Sequence, residues 1–433
     1  LSSYVTSAPR RRPAHIVPHP AAGDPSSTRF PHPIRGRLAV VCAGGGVTGA
    51  IYEIGALAAI EERLEDHSLT DFDVFVGVSA GAYISALLAN GITPGVLFRN
   101  VTRSAGSRTD IDDLGLFTLN VEEIALRLVK APLTILDAAW DYYKNSHETT
   151  LTDLVTALAT LLPSGVFRNE GLESWLEQWL DHPDRSNDFR KLRKALRIVA
   201  VDLDTGETTA FGAPGHENVP ISKAVAASCA LPGLYKPVRI NGVDYIDGGV
   251  RKTAHLSLAL RERCGLTICV NPIVPLRFLH HPAPPGSNGR SELKRGGIAT
   301  ILDQVFRVTL HSRMRYGLAR YRHEDPTADI VLFEPRGEDL PRFMMRNIMR
   351  TSGRIRIAEY AYRTTMQTID ADFARYRRVF AHHGLKLRPA SAAFGSRLNV
   401  QADRHEGPAP VRLRAQLETL EQDLAFLEAA ARR

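Results

Sequence analysis

A serine stands between two glycines at the point where an apolar run gives way to a helical pattern. Residues 72–78, FDVFVGV, are typical of a buried strand, and the small-residue stretch AGAYISALLANG follows Ser79. With Gly77 and Gly81, this serine completes the pattern G-x-S-x-G. A strand that turns this sharply into a helix leaves no room for side chains at the flanking positions and lifts the hydroxyl to a helix N-terminus. The pattern therefore predicts a nucleophilic serine on an α/β sheet.

A similar strand, turn and helix come earlier in the chain. Residues 38–43, LAVVCA, pass into Gly44, Gly45 and Gly46 and then into a helical stretch. A serine nucleophile needs donors that stabilise an oxyanion, and glycines let main-chain N–H groups approach it closely. We therefore predict that these three residues form the oxyanion hole, with Gly49 as the last glycine of the motif. Two such units in succession favour a parallel α/β sheet.

The glycine loop also fits the dinucleotide-binding pattern G-x-G-x-x-G. That fold requires an acidic residue at the tip of the second strand to hold the ribose. Here the second strand ends at Ser79, and the nearest acids, Glu61, Glu62 and Glu65, belong to the helical stretch. We favour the oxyanion hole and keep dinucleotide binding as the alternative.

Asp247 is the best-placed base for the serine. It follows a short strand pattern, VDYI, and Gly248 and Gly249 permit a tight turn that projects its carboxylate from the edge of the sheet. None of the fifteen histidines has a comparable setting. A carboxylate is a weak base toward a hydroxyl in water, but it can serve in a dry site with a stabilised oxyanion. An Asp-Gly hairpin turn without a catalytic role is the competing interpretation.

With these motifs in this order, the chain resembles the patatin-like phospholipase family. The segment Ala227–Gly233, ASCALPG, is similar to the family's A-S-x-A-x-P segment, and the resemblance covers residues 38–275. It implies an α/β fold: a three-layer α/β/α arrangement with a mostly parallel central sheet and added helices. It further implies calcium-independent lipid acyl hydrolysis by a Ser79–Asp247 dyad, with no cofactor and no metal.

Two positions depart from the family's pattern. The family usually has Lys or Arg before the last glycine of the loop, where this chain has Thr48. After the Asp-Gly-Gly motif the family often has Asn-x-Pro, where this chain has Val250–His255, VRKTAH. Neither departure touches the dyad, but they leave open the headgroup preference and the way the aspartate loop is braced.

The rest of the chain divides by composition. Residues 1–36 are predicted to be a disordered basic, Pro-rich leader, and 37–390 a hydrolase domain with a motif-bearing core over 38–275 and a helical extension over 297–390. Residues 391–433 are predicted to be a linker and an amphipathic helix that could mediate oligomers. The run LTICVNPI, 266–273, is expected to close the sheet, and a helical block over 115–195 could line an acyl pocket.

Charge and cysteine usage suggest partners and compartment. The chain carries a net charge of +7, with basic flanks, and Arg342, Arg346, Arg350 and Arg354 recur every four residues. This favours an anionic membrane surface as a partner, while nothing indicates a nucleic-acid-binding module. The four cysteines form no C-x-x-C pair and are expected to be buried free thiols. We expect a cytoplasmic protein that is peripheral on a membrane or free of it, without a spanning helix or signal peptide.

The sequence as a whole predicts a lipid acyl hydrolase of phospholipase A, lysophospholipase or esterase type. It would act on a phospholipid or another fatty-acyl ester through an acyl-serine intermediate. Two alternatives use the same motifs: an acyltransferase, in which an alcohol replaces water, and a catalytically weak lipid-binding protein.

Overall fold

The computed structural model describes residues 36–102, 118–123, 162–277, 297–336 and 351–390, together with isolated helical positions between 125 and 140. The predicted leader, Arg342, Arg346, Arg350 and the segment 391–433 lie outside the described residues, so the predictions for them stay predictions. In the described part of the chain, no helix combines the length and the apolar character that a membrane span requires.

Strands and helices alternate along the described chain, and most of the apolar runs in the sequence become strands. The strands are β1 Arg37–Cys42, β2 Leu64–Glu65, β3 Val74–Val78, β4 Thr118–Leu119, β5 Gly165–Arg168, β6 Ala195–Asp202, β7 Thr208–Phe211, β8 Gly233–Tyr235, β9 Val238–Ile240, β10 Val243–Asp247, β11 Cys264–Val270, β12 Asp329–Phe333 and β13 Lys386–Leu387. The helices are α1 Gly46–Arg63, α2 Ala80–Ala89, α3 Pro94–Thr102, α4 Glu170–Leu180, α5 Ile221–Ser228, α6 Leu256–Arg261, α7 Gly297–Glu324, α8 Thr351–Ala371 and α9 Phe373–His382.

Eight strands form the central sheet, in the order β12-β11-β1-β3-β6-β10-β9, with β7 paired to β6. The five strands from β12 to β6 are parallel to their neighbours, whereas β10, β9 and β7 are antiparallel. The predicted mostly parallel sheet is thereby confirmed. Because parallel strands end at one edge, the turns after β1 and β3 lie side by side.

The edge strand β12 corrects the sequence prediction. Residues 266–273 do not close the sheet, because β12 pairs with β11 beyond them, and the extension predicted as helical therefore also contributes a strand. The run DIVLF has only five residues and stands between two long helical stretches. A short apolar run gives the same periodicity signal in a strand and in a buried helix, so the sequence alone did not separate the two.

Helices cover both faces of the sheet, because its strands are apolar on both sides. Along β1, Val40 and Cys42 join the larger core, with side chains of α1, α2, α5 and α8. Ala39 and Val41 join the smaller core on the opposite face, with α6 and α7. This alternation is the pleat of a strand that is buried on both faces. The predicted three-layer α/β/α arrangement is therefore confirmed.

Helix α8 runs parallel to α1 and packs closely along it. A Cβ placed on Gly55 of α1 would lie 2.3 Å from the main-chain oxygen of Ala358, so only a glycine allows the two backbones this approach. Towards the ends of both helices, Arg63 forms an ion pair with Asp370. The C-terminal extension is thus held against the helix that follows the glycine loop.

We predict that Gly55→Ala destabilises the protein by about 1–3 kcal/mol, because the added methyl group forces the two helix backbones apart. Gly95→Ala in α3 is the matched control, since its Cβ would meet only the flexible end of Arg99 at 3.6 Å. That variant should be neutral or slightly stabilising, because alanine favours helix over glycine. Urea denaturation of both variants checks the prediction, which fails if they unfold at the same midpoint.

Candidate active site

Ser79 lies in the sharp turn between β3 and α2. Its φ of 54° is in the left-handed region, which costs a non-glycine residue about 1–3 kcal/mol. The flanking glycines make the turn possible: a Cβ at Gly77 would lie 2.5 Å from the Cα of Ala82, and one at Gly81 would lie 2.3 Å from the carbonyl oxygen of Cys42. The predicted turn geometry is therefore present, with the N-terminus of α2 directly behind the serine.

The structure brings Asp247 to Ser79, 168 positions earlier in the chain. Asp247 ends β10, and its carboxylate accepts a hydrogen bond from the N–H of Gly249 at 2.7 Å. Burial raises the pKa of Asp247 to about 6, while the nearby Ser79 hydroxyl and the Gly249 N–H act to lower it. Gly248 allows the turn to pass the sheet, since a Cβ there would lie 2.4 Å from the main-chain oxygen of Val199.

The segment Ala227–Gly233 holds both members of this pair. The Ser79 N–H donates to Ser228 Oγ at 2.8 Å, and the Ser228 hydroxyl donates in turn to the carbonyl oxygen of Val199 at 2.6 Å. The Asp247 N–H donates to the carbonyl oxygen of Ala230 at 2.9 Å. The sequence marked this segment only by its resemblance to the family, and the positioning role of Ser228 was missed.

The glycine loop lies against Ser79 and under Pro272. A Cβ on Gly44 would lie 3.3 Å from the Cβ of Ser79, and one on Gly45 would lie 2.6 Å from Pro272. Gly49 also meets the ring of Pro272, which explains the glycine at the end of the motif. Helix α1 begins at Gly46, so its positive end faces the serine.

The three loop glycines are not equivalent as hydrogen-bond donors. The Gly44 N–H donates to the carbonyl oxygen of Thr253 at 3.1 Å, so it is not available to an oxyanion, contrary to the prediction. Among the described residues, the N–H groups of Gly45 and Gly46 have no acceptor. Two donors are therefore left to face the cavity.

The segment Val250–His255, which departs from the family's pattern, braces both loops. Besides the hydrogen bond from Gly44 to Thr253, the buried ring of His255 lies beside the main chain of Gly248. Burial is the main cause that lowers the pKa of His255 to about 4, so the ring is neutral at pH 7. A neutral ring therefore packs beside the aspartate turn, a contact that the sequence did not reveal.

Ser79 and Asp247 open into a cavity of about 400 Å³ with a mainly apolar wall. Helix α4 contributes Leu172, Trp175 and Trp179, and the two tryptophan rings stack with centroids 5.2 Å apart. The prediction that the helical block before residue 195 lines a pocket is confirmed for this helix. The size and the apolar wall suit an acyl chain.

The four cysteines and one cluster of acidic and histidine side chains are potential metal ligands. All four cysteines are free, with Cys229 on the wall of the cavity and the others buried. In the described part of the chain, one group places potential ligand atoms within 4.8 Å of one another, namely Asp329, His382 and His383. Asp329 is the first residue of the parallel strand β12, whereas Ser79 follows the last residue of the parallel strand β3. This group therefore lies at the opposite end of the parallel strands from the serine.

The fold and the site together define a class. The structure combines a mostly parallel α/β sheet, a serine in a strained strand-to-helix turn and a buried carboxylate on the wall of the same cavity. The family model described as "Patatin-like phospholipase" matches residues 40–260, half of the chain. The chain belongs to the patatin-like phospholipase family, as its motifs predicted, and is at family level a lipid acyl hydrolase.

Individual relatives are distant. Uncharacterized protein YqhO of Bacillus subtilis is 24% identical over 235 residues, which span 52% of this chain and 67% of the relative. Probable lipid hydrolase 463L of Invertebrate iridescent virus 6 is 22% identical over 51% of this chain and 63% of its own length. The chain thus spans about two thirds of these relatives. Among solved structures, VipD from Legionella pneumophila is similar with a TM-score of 0.36 and 14% identity, over 78% of this chain and 67% of VipD.

The raised pKa of Asp247 predicts that Asp247→Asn stabilises the protein at neutral pH. A carboxyl with a folded pKa near 6 and an unfolded value near 4 destabilises the folded state above pH 6, and this penalty disappears as the pH falls below 4. The side-chain oxygen of asparagine can still accept the N–H of Gly249, and asparagine carries no charge. The gain should reach about 3 kcal/mol above pH 6, since one pKa unit corresponds to about 1.4 kcal/mol.

Denaturation at pH 7.5 and near pH 4 measures this difference. Asp202→Asn is the matched control of opposite sign, because hydrogen bonds from Thr205 and Asp204 lower the pKa of Asp202. That variant should lose stability at neutral pH and recover it as the pH falls. An Asp247→Asn protein no more stable than the wild type at pH 7.5 would contradict the assigned burial of the charge.

Proposed function

We propose that the protein hydrolyses lipid acyl esters with Ser79 as nucleophile and Asp247 as its base. The observation that carries this proposal is that a serine in a strained turn and a buried carboxylate line the same mainly apolar cavity, with the serine hydroxyl close enough to lower the pKa of the carboxyl. The strained turn of Ser79 adds support, because such strain is concentrated at functional sites.

Acylation follows from this arrangement. Asp247 accepts the proton of Ser79 as its Oγ attacks the ester carbonyl, and the negative charge moves to the carbonyl oxygen. The N–H groups of Gly45 and Gly46 donate to that oxyanion, with the positive ends of α1 and α2 adding to the stabilisation. The intermediate then collapses to an acyl-serine, and protonated Asp247 returns the proton to the leaving alcohol. Gly44 orients the loop through its bond to Thr253.

Deacylation repeats the sequence with water as the nucleophile. Asp247 accepts a proton from water, the second oxyanion occupies the same two donors, and the fatty acid leaves as Ser79 regains its proton. A pKa near 6 keeps Asp247 mostly ionised at pH 7 and yet makes it a stronger base than an ordinary carboxylate. The site therefore requires no histidine for either step.

The substrate is proposed to come from a membrane surface. Helix α7 lines the cavity with Phe306 and Leu310 and also exposes Ile298, Leu302 and Val305. Exposed apolar side chains beside a cavity mouth are suited to contact with a lipid interface. The free thiols agree with the predicted cytoplasmic compartment.

We predict that Ser79→Ala and Asp247→Asn each lower kcat on a fatty-acyl ester by about 10⁴-fold or more, because each removes a member of one catalytic unit. Asp244→Asn is the matched control, as this residue lies on the same strand but pairs with Arg239 at the surface. Fatty-acid release by the purified protein measures the effect. Near-wild-type turnover of either dyad variant would exclude the proposed mechanism.

The same assay separates the two alternatives. With an acceptor alcohol added, a hydrolase releases mainly free fatty acid, whereas an acyltransferase forms mainly the new ester. A lipid-binding protein binds the ester in wild type and in Ser79→Ala but turns it over in neither.

We further predict that kcat/KM rises with pH through an inflection near 6 and is level above it, because only ionised Asp247 accepts the serine proton. Glu334 is another buried carboxyl that could cause such an inflection, since burial raises its pKa to about 7. It accepts a hydrogen bond from Asn271, which also donates to the main chain of Ile273 on the cavity wall. The inflection should persist in Glu334→Gln. If that substitution abolishes it, Asp247 is not the titrating group.

A further inference from the structure

Three side chains that are able to ligate a metal ion meet far from the catalytic pair. One oxygen or nitrogen atom of each of Asp329, His382 and His383 lies within 4.8 Å of the other two. Asp329 is the first residue of β12, and the two histidines stand at the end of α9. All three lie beyond residue 260, outside the part of the chain that the family model matches. The proposed hydrolysis uses none of them.

The ring of His383 is held against the sheet with one nitrogen toward Asp329. Its side chain is 1% exposed, and a Cβ on Gly265 of β11 would lie 3.2 Å from its Cε1 and Nδ1 atoms. The other nitrogen, Nε2, lies 2.9 Å from Oδ2 of Asp329. Two ligands of a tetrahedral zinc ion are about 3.3–3.6 Å apart, since each bond is about 2.0–2.2 Å long. To bind an ion between them, these two groups therefore need to separate by less than about 1 Å.

The turn that ends α9 brings a second histidine to the same place. The N–H of His383 donates to the carbonyl oxygen of Phe380, and Gly384 follows with a φ of 78°. Such a turn fixes the backbone at the end of a helix. The rings of His382 and His383 lie with their centroids 5.0 Å apart and their planes at 89°. His382 has no hydrogen bond to the described residues, so its nitrogens are available to an ion.

Charge and access at this group favour a cation. The carboxylate of Asp329 is negative, and the end of α9 carries the negative end of the helix dipole. Asp329 and His382 are partly exposed, whereas His383 is buried. An ion can therefore enter from solvent and keep a water molecule as its fourth ligand. An ion pair between Asp329 and His383 alone is the competing interpretation, and it gives the ring of His382 no part.

We propose that Asp329, His382 and His383 bind a zinc ion that fastens the C-terminal extension to the edge of the sheet. Two imidazole nitrogens and a carboxylate oxygen are a ligand set typical of zinc, whereas Ca²⁺ and Mg²⁺ prefer oxygen ligands. The ion takes no part in ester hydrolysis, because it lies at the opposite end of the parallel strands from Ser79. This inference goes beyond the proposed function and does not depend on it.

The ion joins segments that are 54 positions apart in the chain. Between them lies α8, which packs along α1, the helix that follows the glycine loop. A metal that binds only the folded chain stabilises it, and the gain is larger when the metal closes a long loop. Zinc therefore holds α9 against β12 and keeps the extension packed on the rest of the domain.

Equilibrium dialysis and thermal melting of the full chain, after metal removal with EDTA, test this inference. The wild type should bind one zinc ion more per chain than His382→Gln. Zinc at about a hundred times its Kd should raise the Tm of the wild type by roughly 3–6 °C. His382→Gln should lose most of this shift, because losing one of three ligands should weaken zinc binding about a hundredfold or more. Without zinc the two proteins should melt alike, since His382 is partly exposed and has no hydrogen bond to lose within the described chain.

Three further variants separate zinc binding from the ion pair. His182→Gln is the matched control and should keep the whole zinc effect. His182 lies 3.8 Å from Asp184 in an exposed pair that belongs to no three-ligand group in the described chain. Asp329→Asn should lose the zinc effect, because its amide still accepts a hydrogen bond but is a poor zinc ligand. His382→Cys should still bind zinc, because a thiolate replaces the imidazole as a ligand.

The outcomes bear on this inference alone, since none of these measurements needs turnover. A wild type that binds no zinc, or whose Tm zinc does not change, overturns the site. A full zinc effect in His382→Gln or Asp329→Asn also overturns it, because the ion then binds elsewhere on the chain. If Ca²⁺ or Mg²⁺ produces the same shift as zinc, the proposed class of metal is wrong.

Discussion

The N–H of Ser79 donates to the hydroxyl of Ser228, which itself donates to the main chain of β6. This relay supports a residue whose backbone conformation is unfavourable on its own, and it does so from within the apolar core, where unpaired polar groups are costly. Two residues further on, Ala230 accepts the N–H of Asp247. One short segment therefore sets the positions of both Ser79 and Asp247 relative to the same strand.

The sheet explains why such a brace is effective. Ser79 and the glycine loop follow two neighbouring parallel strands, β3 and β1. Asp247 is the last residue of β10, an antiparallel strand that pairs with β6. All three are fixed to one hydrogen-bonded framework rather than to separate loops. Helices α1, α3, α4, α7 and α8 all contribute side chains to the cavity wall, so the wall is built from parts of the chain both near Ser79 and far from it.

Local patterns in the sequence predicted the fold class, the strained turn and Asp247, because each depends on residues that are adjacent in the chain. The features that the sequence did not predict depend on residues that are far apart in the chain. The N–H of Gly44 donates to Thr253, and Ser228 supports a residue 149 positions away. Arg354, which its spacing placed on a basic membrane-facing stripe, is buried on the cavity wall. Strand β12 was missed since five apolar residues have no distinctive period.

The stacked pair of Trp175 and Trp179 gives the cavity an optical property. The chain has three tryptophans, and the third, Trp140, is 65% exposed to solvent. Indole emission shifts to shorter wavelength when apolar matter replaces water around the ring, and the two cavity rings are placed to undergo that change. Intrinsic fluorescence therefore provides a label-free signal of cavity occupancy that does not depend on turnover.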